Sequence, residues 1–134
     1  MNILGISSFI HDSAACLIKH GELVANVEEE RFNRIKHTDA FPVQSIKYVL
    51  DAGGIEMSEV DVIAFNWNPY KSLIAEIIKF ALVPITYYKV YRNTNPPKSF
   101  RSIAATFKLR KTINKHFPNQ FRGKIIWVDH HLAH

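Results

Sequence analysis

The chain has 134 residues, 47% of them hydrophobic and 22% charged, which allows one domain with a core and excludes a disordered chain. The formal net charge of +5 is unevenly laid out: residues 1–76 hold 11 acids and 6 Lys or Arg, whereas residues 77–128 hold 11 Lys or Arg and no acid. The second stretch carries a positive field suited to phosphorylated small molecules or an acidic partner domain, and it lacks the glycine and aromatic signature of an RNA-binding sheet, so nucleic acid is not the expected partner.

Residues 3–7 read as a short buried strand, and Phe9 to Ser13 as a polar turn holding His11 and Asp12. Ala14 to Ile18 form a second strand. Cys16 lies in this apolar run and reads as a buried structural thiol. His20-Gly21 is a hairpin turn, because glycine adopts positive φ without steric cost, and Leu23 to Val27 give a third strand. Pro42 suits the first position of a helix whose face carries Val43, Ile46, Val49 and Leu50, and Gly53-Gly54 stop it. Asp61 to Asn66 form a fourth strand. A helix of about Tyr70 to Val83 follows and ends at Pro84. The apolar run Leu73 to Tyr88 contains Glu76, Lys79 and Pro84 and is too short without charges to cross a bilayer. Phe100, Ile103 and Phe107 share one face of a further basic helix reaching about His116. Lys124 to Val128 form a fifth strand, and Asp129 caps a helix beginning at His130.

Three antiparallel strands followed by helix-linked parallel strands predict an α/β fold of the ribonuclease H-like kind, which is also one half of an actin-like ATPase domain. The segment 67–122 reads as a variable helical insertion within a single unit, 1–134. A chain stopping one turn into its last helix reads as a fragment. With no secretory signal and no span, the expected compartment is the cytoplasm.

Three places carry possible chemistry. In the closing run Asp129-His130-His131-Leu132-Ala133-His134, positions 130 and 134 overlie each other on a helix, so His130 and His134 can chelate one metal ion. Two imidazoles do not complete a site, and the plainer alternative is a surface helix start with incidental histidines. In the first turn, His11 can act as a general base that Asp12 orients. Alternatively His11 is an exposed loop residue, with Asp12 and Ser13 stabilising the turn. The run Glu28 to His37 is either a solvated charged face or a place where Arg31, Arg34 and Lys36 meet anionic or polar substrate groups.

Taken together, Ile3-Leu4-Gly5-Ile6-Ser7, His11-Asp12-Ser13-Ala14-Ala15-Cys16-Leu17, Glu28 to His37, Phe41-Pro42 and Asp129 to His134 resemble the O-carbamoyltransferases of antibiotic and nodulation-factor biosynthesis. The resemblance implies the actin-like part of a two-part enzyme. A separate adenylating domain makes carbamoyl-adenylate from carbamoyl phosphate and ATP, and the actin-like part passes the carbamoyl group to a hydroxyl of a small-molecule acceptor. It implies that His130 and His134 hold iron (Fe2+) or a similar divalent metal, and that His11 is the catalytic base. Phe9, Asp12 and Lys36 are implied on the substrate side. Two other readings stay open, half of an actin-like sugar or acetate kinase and a non-catalytic binding module. The kinase would place an aspartate in the first-strand region, and none stands in Asn2 to Ser8.

Overall fold

The computed structural model describes residues 1–9, 12–85, 88, 98–118 and 120–128. Strands β1 (Asn2–Ser7), β2 (Ala14–Lys19) and β3 (Glu22–Glu28) form the expected antiparallel meander. The β2–β3 hairpin turns on His20 and Gly21, at φ 55° and 89°, the two positive values that a two-residue hairpin of matching twist requires. A single helical turn, α1 (Glu30–Asn33), follows β3, and α2 (Val43–Gly53) ends on Gly54 at φ 59°. Strand β4 (Val62–Phe65) adds parallel to β1, and β5 (Lys124–Trp127) adds parallel to β4. Among the described residues the sheet order is β3-β2-β1-β4-β5, the order and polarity of the ribonuclease H-like fold.

The period-two alternation of the strands decides where the core lies. Leu4 and Ile6, Ala15 and Leu17, and Ile63 and Phe65 join Ile46, Val49 and Leu50 of α2 in one buried cluster, all at most 5% exposed. Burying each such large side chain contributes about 1.5–3 kcal/mol. The opposite face presents Ile3, Gly5, Ser7, Ala14, Cys16 and Ala64, which are only half-buried. Gly5 is required there, because a Cβ at this position would stand 2.5 Å from Cys16 Sγ across the β1–β2 pair.

Between β4 and β5 the chain forms α3 (Pro69–Leu82), α4 (Lys98–Phe107) and α5 (Leu109–His116). Asn68 caps α3 by accepting from the amides of Tyr70 and Lys71, at 3.0 and 3.3 Å. The single basic helix expected up to His116 is two helices. The amide of Lys108 is shared between the carbonyls of Ala104 and Ala105, and the chain turns so that Leu109 and Ile113 enter the core. Phe107, expected on the buried face with Ile103, is 46% exposed and meets Tyr70 edge-on at 5.3 Å. Thr106 takes the buried place because its hydroxyl is satisfied locally, donating to the Ser102 carbonyl at 2.7 Å. Residues 67–122 therefore furnish core side chains, with Phe117 and Phe121 joining the same cluster. The expected helix at His130 lies outside the described residues.

Candidate functional site

The carboxyl ends of parallel strands are where open α/β sheets present their ligand-handling loops. Here β1 runs into the turn at residues 8–13, β4 into Asn66 to Asn68, and β5 into Val128. The amide of Val128 donates to the carbonyl of Phe65 at 2.8 Å, and that of Asn66 to the carbonyl of Ile6 at 3.2 Å, so the three ends are tied edge to edge.

The β1–β2 turn is clasped by a second loop, residues 34–40, which carries the end of the charged run. The Phe9 amide donates to the Asp39 carbonyl at 3.1 Å and the Ser13 amide to the Thr38 carbonyl at 3.0 Å. Ser8 Oγ donates to the Ala40 carbonyl at 3.2 Å. Asp12 Oδ1 and His37 Nδ1 are 2.8 Å apart. The His37 amide donates to Glu30 Oε2 at 3.2 Å, fastening the loop to α1. Lys36 stands exposed beside His37 in the same bend. The clasp thus brings Asp12 and Lys36, 24 positions apart in sequence, to one side of the sheet edge.

Asp12 raises the pKa of His37, first through their hydrogen bond and then through its charge. Glu30 adds to the rise, while slight desolvation and the charge of Lys36 oppose it. A raised folded-state value means that the pair's stabilisation is complete below the ordinary histidine pKa and is lost as pH climbs through the raised one.

Phe9 is held at φ 73° with its side chain against the core. Its ring packs 6.1 Å from Phe41 and 5.9 Å from Phe65, and Phe41 stacks on His116 at 5.8 Å. Its carbonyl accepts from Ser102 Oγ at 2.7 Å, which joins the turn to α4. This packing makes Phe9 first a wedge that fixes the turn.

Glu29, within the charged run for which a solvated face is one of two readings, is 4% exposed. Its carboxylate accepts from the Ser45 amide and hydroxyl, both at 2.7 Å, and from the Gln44 amide at 3.2 Å. It thereby caps α2, whose own entry residue Pro42 provides no side-chain cap. The half-buried sheet face bounds an open concavity of about 520 Å³ lined by Gly5, Ser7, Cys16, Glu28, Asn66 and Val128 among others. Asn66 Nδ2 donates to Ser7 Oγ at 2.8 Å there. Cys16 is half-buried rather than fully buried; desolvation pushes its thiol pKa up, partly offset by a hydrogen bond from the Gly5 backbone.

His11, His130 and His134 lie outside the described residues, and so does the helical register expected of the histidine pair. Phe9 and Asp12 lie in the clasped turn and Lys36 in the loop that clasps it, with the Phe9 ring turned to the core. Sequence reading missed His37 as the partner of Asp12 and Glu29 as a helix cap. Nothing local signals either, since the partners lie 25 and 16 positions away.

The whole of this architecture falls within one known family. The chain belongs to the family described as carbamoyltransferase N-terminus, which it matches over residues 2–134. It is 31% identical over 129 residues to Nodulation protein NolNO of Sinorhizobium fredii, covering 96% of this chain and 17% of that protein. It is 48% identical over 83 residues to Uncharacterized protein sll1178 of Synechocystis sp., covering 60% of this chain and 14% of that protein. The chain therefore spans a small part of the length of these curated relatives. Among solved structures, YeaZ from Pseudomonas aeruginosa aligns with 96% of this chain and 42% of its own at 12% identity, with a TM-score of 0.49. Among the described residues, no helix is long and apolar enough to cross a membrane.

Proposed function

We propose that this chain works as the N-terminal part of a longer O-carbamoyltransferase, which moves a carbamoyl group from carbamoyl-adenylate to a hydroxyl of a small-molecule acceptor. The observation that carries the reading is the family match over residues 2–134. The clasp supports it, because it sets the β1–β2 turn, Asp12 and Lys36 at the edge where the parallel strands end.

In this mechanism His11, in the turn, takes the proton of the acceptor hydroxyl. The acceptor oxygen forms a bond to the carbamoyl carbon, and the bond from that carbon to the adenylate phosphate oxygen breaks, releasing AMP. Lys36 and Asp12 hold polar groups of the acceptor, one as a cationic donor and the other as an acceptor of hydrogen bonds. The imidazoles of His130 and His134 would be the ones to hold Fe2+ or a similar divalent ion, which would supply Lewis-acid polarisation of a carbonyl. A separate adenylating domain of the enzyme supplies carbamoyl-adenylate from carbamoyl phosphate and ATP. The cytoplasm, where those two substrates are made, is the compartment this chemistry suits.

The test is to supply the intact enzyme with carbamoyl phosphate, ATP and a panel of hydroxylated small molecules, and to follow carbamoylated product by mass spectrometry alongside AMP. The His11→Ala variant is expected to lower turnover by about 10²–10⁴-fold with acceptor binding largely kept. Phosphorylated acceptor with ADP release would establish the kinase reading instead, and turnover equal to wild type in His11→Ala would remove His11 from the mechanism.

A further inference from the structure

The described residues of the β1–β2 turn are held by contacts from outside the turn. Phe9 and Asp12 both adopt positive φ, at 73° and 51°, and so does His37 across the clasp, at 54°. Aspartate and histidine tolerate this region comparatively well, whereas a bulky residue such as Phe9 holds it only with support from its surroundings, and such positions concentrate at functional sites. Among the described residues, three main-chain bonds link the turn to its surroundings: Phe9 to Asp39, Ser13 to Thr38, and Glu29 to Ser13. The Asp12–His37 bond is a side-chain link that faces solvent, with the two side chains 47% and 76% exposed. His37 is also anchored from behind, where its amide reaches Glu30.

We propose that His37 is a positioning residue for carbamoyl transfer: bonded to Asp12 by its imidazole and to Glu30 by its amide, it fixes the turn that carries His11 against the loop that carries Lys36. The inference rests on the carbamoyltransferase reading and adds a residue to it. His37 acts through Asp12 and the turn, not on the reacting atoms. Three charged groups bear on its imidazole: Asp12 and Glu30 favour the imidazolium, and Lys36 opposes it. Nδ1–H donates to Asp12 in the imidazolium and in one neutral tautomer, and the charge-assisted part of the bond is present only while the ring is protonated. Displacing a catalytic group by about 1 Å can cost about 10²-fold in rate, which is the scale on which loosening the turn acts.

Two measurements on the intact enzyme test this. Hydrogen exchange read by mass spectrometry compares peptides covering 8–13 and 34–40 in wild type, His37→Ala and His37→Asn, the last keeping an amide donor near the Nδ1 position. Steady-state kinetics follow kcat and the acceptor KM in the same three proteins. In His37→Ala both peptides are expected to exchange faster, kcat to fall about 10–100-fold and the acceptor KM to rise, since Asp12 and Lys36 lie in the two loosened segments. His37→Asn is expected to regain most of the protection and most of the rate. Unchanged exchange in 8–13 for His37→Ala overturns the proposal. So does His37→Asn with full protection but the rate of His37→Ala, since the ring itself is then required. If His37→Ala does not fold, His37→Asn against wild type decides by the same two readouts. If wild type carbamoylates no hydroxyl, the functional reading fails, while the exchange arm still shows whether the clasp exists.

Discussion

Glu29→Ala removes a buried carboxylate that organises the start of α2, and its cost can be worked from the structure. Three donors converge on the carboxylate: the Ser45 amide and hydroxyl at 2.7 Å and the Gln44 amide at 3.2 Å. Hydrogen bonds to a charged acceptor are each worth about 1.5–3 kcal/mol, but three on one group are not additive. The helix N-terminus adds a favourable interaction with negative charge of up to about 2 kcal/mol in partly buried sites. On truncation, Ser45, which is 0% exposed, keeps a hydroxyl and an amide without their acceptor. Breaking a buried, hydrogen-bonded charge network of this kind costs about 3–5 kcal/mol, and that is the expected loss for Glu29→Ala. Glu29→Gln keeps one carbonyl oxygen but turns an amide toward donors, so about half that loss is expected. Because the Glu29 amide also donates to the Ser13 carbonyl, the damage should reach the β1–β2 turn. Urea denaturation followed by circular dichroism measures both variants, with an unchanged m-value taken as the sign that only stability has moved. A Glu29→Ala protein within about 1 kcal/mol of wild type would refute the argument, because the carboxylate would then be solvated and α2 capped by water.

Two further outcomes are expected. Gly123→Ala should destabilise by about 1–3 kcal/mol, because the new methyl would meet the carbonyl oxygens of Asp61 and Val60, main-chain atoms that cannot rotate aside; thermal unfolding of the variant measures it, and an unchanged Tm would contradict the packing of β5 on β4. Metal content after dialysis should fall in His130→Ala and His134→Ala of the intact enzyme and persist in His131→Ala, since helical positions four apart coincide and the adjacent one points about 100° away; retention in all three would exclude the pair as ligands.

Much of the fold was legible before any coordinates because its signals are local. Alternating apolar residues drew β1, β2 and β4 to within one or two residues of their ends, and His20-Gly21 and Gly53-Gly54 marked the hairpin and the helix stop. The family resemblance was legible for the same reason, since its blocks are contiguous runs of residues. What stayed hidden depends on partners distant in the chain. Composition left the run Glu28 to His37 either a solvated face or a substrate contact, and neither reading foresaw that Glu29 is buried against Ser45 or that His37 is bonded to Asp12. The reverse occurs in α3, where Glu76 is 6% exposed and paired with Lys79 at 3.1 Å, whereas Ile74 and Ile77 are more than half exposed. Side-chain polarity states what burial would cost; only the tertiary structure supplies the donors that offset the cost for one carboxylate and leave an isoleucine in water. Strands, turns and family are written in contiguous residues, whereas which charges of that run build the site's frame depends on the folded arrangement, because a hydrogen bond across the fold leaves no periodicity in the chain.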